Sequence, residues 1–207
     1  MAVRRVLKLG NPQLYELCAP VAPNEIPWLG AAIQDLHDTL TAFRARYGAG
    51  RAIAAPQIGV RKRIVYWWNP PAGFAVETRW HPAQLGVASS AFDPAGGFIV
   101  FLNPALSEPS EDMMEVWDDC MRFPGLLVGV QRHRACRIAY HDMGWTERSV
   151  LLEGDLSELL QHELDHLDGV LAAGCSPCPT GSCRCSSNNW TTCAARWSSC
   201  HACCAVG

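Results

Sequence analysis

The sequence lacks several features that would tie the chain to a membrane or to a nucleic acid. It contains no run of 18 apolar residues, so a membrane-spanning helix is not expected. Its net charge is −3, which offers no basic footprint for nucleic acid. The first 20 residues, MAVRRVLKLGNPQLYELCAP, lack the apolar segment that a secretory signal needs. We therefore expect a cytoplasmic protein with no direct nucleic-acid partner.

Cysteine is scarce over most of the chain and abundant at its end. Only Cys18, Cys120 and Cys136 precede residue 174, whereas the other eight of the 11 cysteines lie between Cys175 and Cys204. Few cysteines are typical of an enzyme from a reducing compartment. Residues 174–207 contain no Leu, Ile, Lys, Asp or Glu, and such a composition cannot build an ordinary core. We predict one folded domain over residues 1–173 and an anomalous Cys-rich tail over residues 174–207.

Three interpretations of this tail remain open. An out-of-frame or otherwise altered C-terminus is the one we favour. A small zinc-binding or disulfide module is the second, because Cys175-x-x-Cys178 and Cys183-x-Cys185 have the spacing of ligands. A disordered appendage is the third.

The order of the predicted elements favours an α+β domain, in which we expect antiparallel strands around a central helix. A helix is expected over Leu29–Tyr47, with His37 solvated on its outer side and Gly48 at its end. Its apolar stripe, which we assign to the core, consists of Ile33, Leu36, Leu40, Phe43 and Tyr47. Strands are expected over residues 63–68 and 97–104 and twice within 126–142. Residues 69–97 and 115–124 are interpreted as a loop and a short link. Strands that precede a final helix, without strict β-α alternation, favour the α+β class.

The final predicted helix carries LQHELDHLDG, which contains the pattern H-E-x-x-H. On a helix, His162 and His166 lie one turn apart on one face, so both rings can reach one metal ion, and Glu163 can reach a water molecule on it. The alternative is a surface helix with an accidental pattern. The helix is rich in leucine, however, and burying two histidines and a glutamate without a partner would be costly.

A catalytic metal site needs a third protein ligand and one open position. Asp168 is too close to the histidines, and His201 lies in the tail. Cys120, within DDCMRFPG, is a better candidate. Asp119 and Arg122 flank it, which is a poor setting for a cysteine that serves only as a small core residue.

Three segments resemble, in order, the motifs of the peptide deformylase family. GRAIAAPQIGV (Gly50–Val60) is similar to the first motif, G-x-G-(L/I)-A-A-P-Q-(L/I)-G. DDCMRFP is similar to the second, E-G-C-L-S, and QHELDHLDG is similar to the third, Q-H-E-x-D-H-L-x-G. The opening VLKLGNPQLYELCAPV also resembles the family. The resemblance covers about residues 3–172 and implies a metal-dependent hydrolase that removes the N-formyl group from the N-terminal, formylmethionyl residue of nascent peptides. Its implied partners are formylated peptide N-termini, which arise at the ribosome.

The resemblance also implies a role for particular side chains. Cys120, His162 and His166 would bind one divalent metal ion, and Glu163 would act as general base and acid. Gln57 and the backbone N–H of Met121 would bind the oxyanion of the tetrahedral intermediate. The family commonly uses Fe²⁺, with zinc, nickel or cobalt as substitutes.

The peptide-binding cleft is where the chain departs from the family's pattern. The resemblance places around it Gly50, Arg51, Ala52, Asp119 and Glu158. Arg51 stands at a usually apolar position, and Glu158 faces the methionine pocket from one turn before His162, although a capping role explains this residue equally simply. Because an unpaired charge in a partly desolvated site is costly, we predict that Arg51 and Glu158 form an ion pair. The pair would favour a first side chain that is smaller or more polar than methionine.

Two alternatives to a deformylase stay open at this point. An HExxH metallopeptidase would need neither Cys120 nor Gln57. A deformylase-like interaction module without catalysis would bind a metal ion and turn over no substrate.

Overall fold

The computed structural model describes residues 2–69, 97–122 and 127–172. The predicted tail over residues 174–207 and nearly all of the predicted loop over residues 69–97 lie outside these ranges. Within them, no helix combines the length and the apolar character that crossing a membrane requires. The elements of regular structure in these ranges are α1 (Ile26–Tyr47), β1 (Ala52–Ala54), β2 (Ile64–Asn69), β3 (Gly97–Ser107), β4 (Met113–Asp119), β5 (Leu127–His133), β6 (Ala135–His141), β7 (Glu147–Glu153) and α2 (Gly154–Leu167), with short 3₁₀ helices at Pro12–Tyr15, Pro23–Glu25 and Ala55–Ile58.

The described strands form two antiparallel sheets. Five of them pair in the order β1-β2-β3-β6-β7, and β4 pairs with β5 in a separate ribbon. The ladder between β3 and β6 is interrupted between Leu102 and Ala105, and Asn103 adopts a φ of 51° there. The Asn103 amide bonds both backbone groups of Val21, at 2.7 and 2.8 Å. The predicted α+β class with antiparallel strands is confirmed.

Helix α2 lies in the core, against the five-stranded sheet. Its leucines contact apolar side chains from several strands, including Val65, Phe101, Ile138 and Leu152. Nearly every residue from Leu156 to Leu167 is buried, so the helix has little polar face to offer to water. The polar side chains on this helix therefore point into the protein, where each needs a partner.

Helix α1 confirms the predicted helix and begins three residues earlier than expected, with Pro27 in its first turn. It ends at Gly48, which adopts the left-handed conformation with a φ of 68°. Leu36 and Leu40 are fully buried. The prediction that His37 is solvated is wrong: its Nδ1 lies 2.8 Å from the Tyr66 hydroxyl, and its ring packs edge-on against Phe98.

The prediction of a short link over residues 115–124 is also wrong. Its first half, residues 115–119, belongs to β4, which pairs residue by residue with β5 from Met113↔His133 to Asp119↔Leu127. The acids in EVWDD indicate a loop when composition alone is read. In a two-stranded ribbon, however, alternate side chains remain exposed, which accommodates Glu115 and Asp119, whereas the buried Asp118 bonds Arg132 of β5.

Candidate metal centre

Three side chains that the sequence assigns to a metal converge in the structure. The ligand atoms of Cys120, His162 and His166 all lie within 4.8 Å of one another, and all three residues are buried. Cys120 Sγ is 3.4 Å from His166 Nε2, and the two imidazole centroids are 4.4 Å apart. The predicted convergence, across 46 residues of sequence from Cys120 to His166, is confirmed.

Local structure explains this geometry. The two histidines are four residues apart on α2, so their side chains project from the same face of the helix. Cys120 follows the last residue of β4, in the turn that continues through Met121 and Arg122. The ribbon thus brings the thiol over the face of the helix that presents both rings.

A buried carboxylate orients one of the rings. Asp118 accepts a hydrogen bond from His162 Nδ1 at 2.9 Å and another from Arg132 Nη2 at 2.8 Å. Arg132 is itself buried, and its second nitrogen bonds Asp165 on α2. Burial opposes ionisation of Asp118, but the His162 and Arg132 contacts hold the pKa of that carboxyl below its ordinary value. The carboxylate holds the His162 ring through Nδ1, which leaves Nε2 as the nitrogen that can bind a metal ion.

Sequence reasoning missed Asp118 and Arg132 as positioning residues. A signal was present for the first of them, because residues 118 and 120 are two apart at the end of a strand and so project to the same side. No comparable local signal marks Arg132, whose partners lie 14 and 33 residues away.

Glu163 lies beside the cluster without a hydrogen-bond donor. The residue is buried, and its Oε2 has no hydrogen-bond partner among the described residues. Burial raises the pKa of Glu163 to about 7, against the lowering effects of His162 and Arg122. Burial also lowers the pKa of His166 well below its ordinary value, and His162 acts in the same direction. This shift favours the neutral form of His166, which is the form of imidazole that binds a metal, whereas the contacts with Asp118 and Cys120 raise the pKa of His162 against the effect of burial.

The two expected oxyanion donors lie next to this cluster. Gln57 is buried, and its Oε1 accepts a hydrogen bond from the Ala54 N–H at 2.6 Å. That bond directs the amide nitrogen toward the cluster, 3.9 Å from Cys120 Sγ. Met121, the second expected donor residue, is buried directly after Cys120.

The N-terminal segment forms hydrogen bonds with the backbone of both Gln57 and Met121. The Leu7 N–H donates to the Gln57 carbonyl at 2.9 Å, and Lys8 Nζ donates to the Met121 carbonyl at 3.2 Å. The segment thus contacts the first and second motifs at once, although the two lie more than 60 residues apart.

A cavity of about 410 Å³ opens onto the cluster. All five residues predicted to line the peptide-binding cleft border it: Gly50, Arg51, Ala52, Asp119 and Glu158. Cys120, His162, Glu163 and Gln57 also line it. Sequence reasoning missed Phe43 and Tyr47 of α1, because it assigned the whole apolar stripe of that helix to the core.

The predicted ion pair is present on the wall of this cavity. Arg51 Nη2 lies 3.0 Å from Glu158 Oε2. The Glu158 side chain is 11% exposed and that of Arg51 is 30% exposed, so the pair is largely shielded from water. Burial raises the pKa of Glu158, while the nearby Arg51 opposes that rise.

The burial of Arg122, two residues after Cys120, was not expected from the sequence. Its side chain is almost fully buried, and none of its three guanidinium nitrogens has a hydrogen-bond partner among the described residues. Burial lowers the pKa of Arg122, although the nearby Cys120 and Glu163 oppose that change. A buried guanidinium without hydrogen bonds is energetically costly.

The residues present fit a single divalent ion. Ligand atoms about 2.1–2.3 Å from a tetrahedral ion lie roughly 3.5 Å from one another, close to the separation of Cys120 Sγ and His166 Nε2. One thiolate with two imidazoles is a donor set that suits Zn²⁺ and Fe²⁺. The free Glu163 oxygen fits a site that keeps one position open for water.

An antiparallel α+β fold that buries a Cys–His–His cluster beside a glutamate, whose Oε2 has no partner among the described residues, defines a class of protein, the candidate single-metal hydrolases. Within that class, residues 3–175 match the model of one family, polypeptide deformylase. Peptide deformylase 2 of Ralstonia nicotianae is 34% identical over 169 residues, covering 82% of this chain and 84% of the relative. The peptide deformylase of Leptospira biflexa is 32% identical over 173 residues, covering 83% and 86%. The chain belongs to the polypeptide deformylase family.

Solved structures agree with this assignment. A Met-Ala-Ser-bound class I type b peptide deformylase from Acinetobacter baumannii superimposes with a TM-score of 0.65 at 25% identity, covering 84% of this chain and 98% of that one. The peptide deformylase of Thermotoga maritima superimposes equally well, with a TM-score of 0.65 at 22% identity, covering 84% of this chain and 97% of that one, and shows the shared fold.

Proposed function

We propose that this chain is a metal-dependent peptide deformylase that hydrolyses the N-formyl amide at the N-terminus of nascent peptides. One observation carries the proposal: a single cavity brings together Cys120, His162, Glu163 and Gln57 from three separate segments. The activity agrees with the names of the relatives, which are peptide deformylases. Formylmethionyl peptides are the first substrates to assay.

Cys120, His162 and His166 would hold the metal ion, for which we propose Fe²⁺, with Zn²⁺, Ni²⁺ or Co²⁺ able to replace it. When bound, such an ion lowers the pKa of a water molecule in the site and polarises the formyl group. A thiolate in place of a third imidazole makes the site softer and less positive.

Glu163 is the proton carrier in this proposal. A carboxyl whose pKa burial raises to about 7 suits a group that accepts a proton and later returns it near neutral pH. The carboxylate takes a proton from the attacking water and delivers it to the leaving amine nitrogen. The absence of a hydrogen bond to Oε2 from any described residue leaves that oxygen available for the water.

Gln57 and the Met121 N–H stabilise the formyl oxygen as it becomes negative. The Ala54 N–H fixes the Gln57 amide before substrate arrives, so orienting this donor costs nothing during the reaction. Removing one such donor typically reduces turnover by about 10²–10³-fold.

The position of Cys120 favours this function over a general HExxH peptidase. A peptidase would leave Cys120 outside the metal site, whereas the thiol lies 3.4 Å from a histidine ligand atom. The interaction module without catalysis makes a different prediction, since it would bind the metal ion and release no formate.

One set of measurements separates these three possibilities. The protein is purified without oxygen, its metal content is determined, and formate release from formyl-Met-Ala-Ser is followed for the wild type, Glu163→Gln, Cys120→Ala and Cys136→Ala. We expect Glu163→Gln to keep the metal and lose most turnover, and Cys120→Ala to lose the metal. Cys136→Ala is the matched control, because this cysteine is buried outside the cluster, against Ser157. Wild-type formate release by Glu163→Gln would exclude the assigned role, and metal retention by Cys120→Ala would favour the peptidase.

Three further expectations belong to this proposal. The scarcity of cysteine before residue 174 supports a cytoplasmic location. An encounter with formylated N-termini as they leave the ribosome is compatible with the proposed substrate. The division into a catalytic domain over residues 1–173 and a separate tail stays a prediction, and the family match to residues 3–175 is compatible with it.

A further inference from the structure

One rim of the cavity is formed by the link between α1 and β1. Gly50 and Arg51 line the cavity, and Arg51 also forms the salt bridge to Glu158 of α2. The link contains two glycines with positive φ, Gly48 at 68° and Gly50 at 105°. Glycine loses more backbone freedom on folding than any other residue, so an ordered rim requires contacts that restrain it.

Arg44, in the last turn of α1, provides one such contact. Its Nη1 donates a hydrogen bond to the Gly50 carbonyl at 2.5 Å. Its Cζ lies 3.4 Å from the centroid of the Trp68 ring. The guanidinium is thus held between an aromatic ring and a backbone carbonyl, an arrangement that suits its planar shape and its fixed donor directions.

Trp68 connects the same rim to the five-stranded sheet. It belongs to β2, and its backbone N–H donates to the Arg51 carbonyl at 3.0 Å. The backbone of Trp68 therefore restrains Arg51, while its ring supports the side chain that restrains Gly50. Two consecutive residues of the rim are held from two different elements, the helix α1 and the strand β2.

We propose that Arg44 is a positioning residue for peptide binding, because it fixes the backbone of Gly50 and Arg51 before a formylated peptide enters the cavity. The inference rests on the proposed function and names a residue that does not itself line the cavity. A rim that is ordered in advance loses less conformational entropy when the peptide binds. The effect of Arg44 therefore belongs to peptide affinity and leaves the chemical step unchanged.

A simpler role for Arg44 must be separated from this one. A cation in the last turn of a helix stabilises that helix through its charge alone. Arg44→Lys keeps the charge and loses the planar guanidinium that stacks and donates in a fixed direction. A role limited to the helix would therefore leave peptide binding in this variant as in the wild type.

The test measures kcat and KM for formate release from formyl-Met-Ala-Ser, and the affinity for the product Met-Ala-Ser by calorimetry. We expect Arg44→Lys to raise KM and the dissociation constant of Met-Ala-Ser by about tenfold, as when binding has to order one more residue of backbone. The metal content should stay the same and kcat should stay within about twofold, because the metal ligands and Glu163 are unchanged. A wild-type affinity for Met-Ala-Ser, or a loss that falls on kcat or on metal content instead, would overturn the inference.

Arg46→Lys is the matched control. Arg46 lies in the same last turn of α1, and its Cζ is 5.2 Å from the centroid of the Tyr47 ring. Among the described residues, the hydrogen bond to the Gly50 carbonyl comes from Arg44 and not from Arg46. The control should bind Met-Ala-Ser as the wild type does, and an equal loss in both variants would remove the assignment to Arg44.

Trp68→Leu is an independent second variant. It removes the ring against which the guanidinium lies and keeps Arg44 in place, so we expect a weaker affinity for Met-Ala-Ser here as well. Because the two side chains act through one contact, their separate losses should not add in the double variant. Additive losses, or wild-type binding by Trp68→Leu, would count against the inference.

The two readouts also separate this inference from the proposed function. If the wild type binds Met-Ala-Ser and releases no formate from formyl-Met-Ala-Ser, the proposed function fails. A loss of binding in Arg44→Lys, with wild-type binding in Arg46→Lys, would still support the role of Arg44 in that case.

Discussion

Replacing Asp118 by asparagine tests whether the buried carboxylate behind His162 is needed to build the metal centre. The substitution keeps the shape of the side chain and removes its charge. Asp118 is 1% exposed and accepts hydrogen bonds from two buried groups, His162 and Arg132, at 2.8–2.9 Å. Arg132 keeps only Asp165 as an anionic partner after the change.

The expected loss in the free energy of unfolding follows from these contacts. A hydrogen bond to a charged group contributes about 1.5–3 kcal/mol, and removing one partner of a buried ion pair costs about 3–5 kcal/mol. The asparagine oxygen can still accept one bond, so we expect a loss near the lower limit, about 3 kcal/mol. For a domain of this size, that lowers the midpoint of thermal unfolding by roughly 6–12 °C. The loss of ring orientation should weaken metal binding by about 10–100-fold.

Two assays separate stability from metal binding. Thermal unfolding in the presence of a chelator measures the first, and a titration with Zn²⁺ or Co²⁺ at a temperature where both proteins are folded measures the second. Asp119→Asn is the matched control for both, because this neighbour is exposed and should change stability by less than about 0.5 kcal/mol. A wild-type midpoint and a wild-type metal affinity for Asp118→Asn would refute the reasoning.

Three other predictions concern single features of the structure. Arg122→Met should raise the free energy of unfolding by about 1–3 kcal/mol, because it removes a buried guanidinium that has no hydrogen bond to any described residue and keeps most of its volume; a lower unfolding midpoint would contradict this. Gly169→Ala should be far more destabilising than Gly48→Ala in chemical denaturation, since both have positive φ but only at Gly169 would a Cβ meet backbone, at 2.7 Å from Tyr15; equal losses would contradict this. Truncation after Ala173 should leave metal content and formate release unchanged, because every proposed ligand lies upstream, and loss of either would show that the tail belongs to the enzyme.

Sequence predicts best those parts of the site that depend on the spacing of residues along a helix or on a large energetic penalty. The i, i+4 spacing of His162 and His166 holds on any helix, so their shared face required no knowledge of the fold. The Arg51–Glu158 pair joins residues 107 positions apart, and it could be predicted because two charges in one partly desolvated cleft have few other stable arrangements.

The parts that sequence did not predict depend on strand pairing. Strand β4 is rich in acids and resembles a loop until its partner β5 is known. The Asp118–Arg132 contact forms across that same pairing, so it could not be derived before the ribbon was recognised. Phe43 was assigned to the core for a similar reason, since a helical stripe shows which residues face inward and not which of them border a cavity.

The N-terminal segment has a practical consequence for anyone who handles this protein. Leu7 and Lys8 donate hydrogen bonds to the carbonyls of Gln57 and Met121, which are the two residues proposed to bind the formyl oxygen. Neither of these hydrogen bonds involves a proposed metal ligand. Shortening the chain at this end, or fusing a bulky tag close to it, would therefore produce an enzyme that passes a metal assay and still works slowly. Batch quality for this protein should be judged by turnover per bound metal ion, and an affinity tag near residue 1 should be separated from residue 7 by a flexible linker.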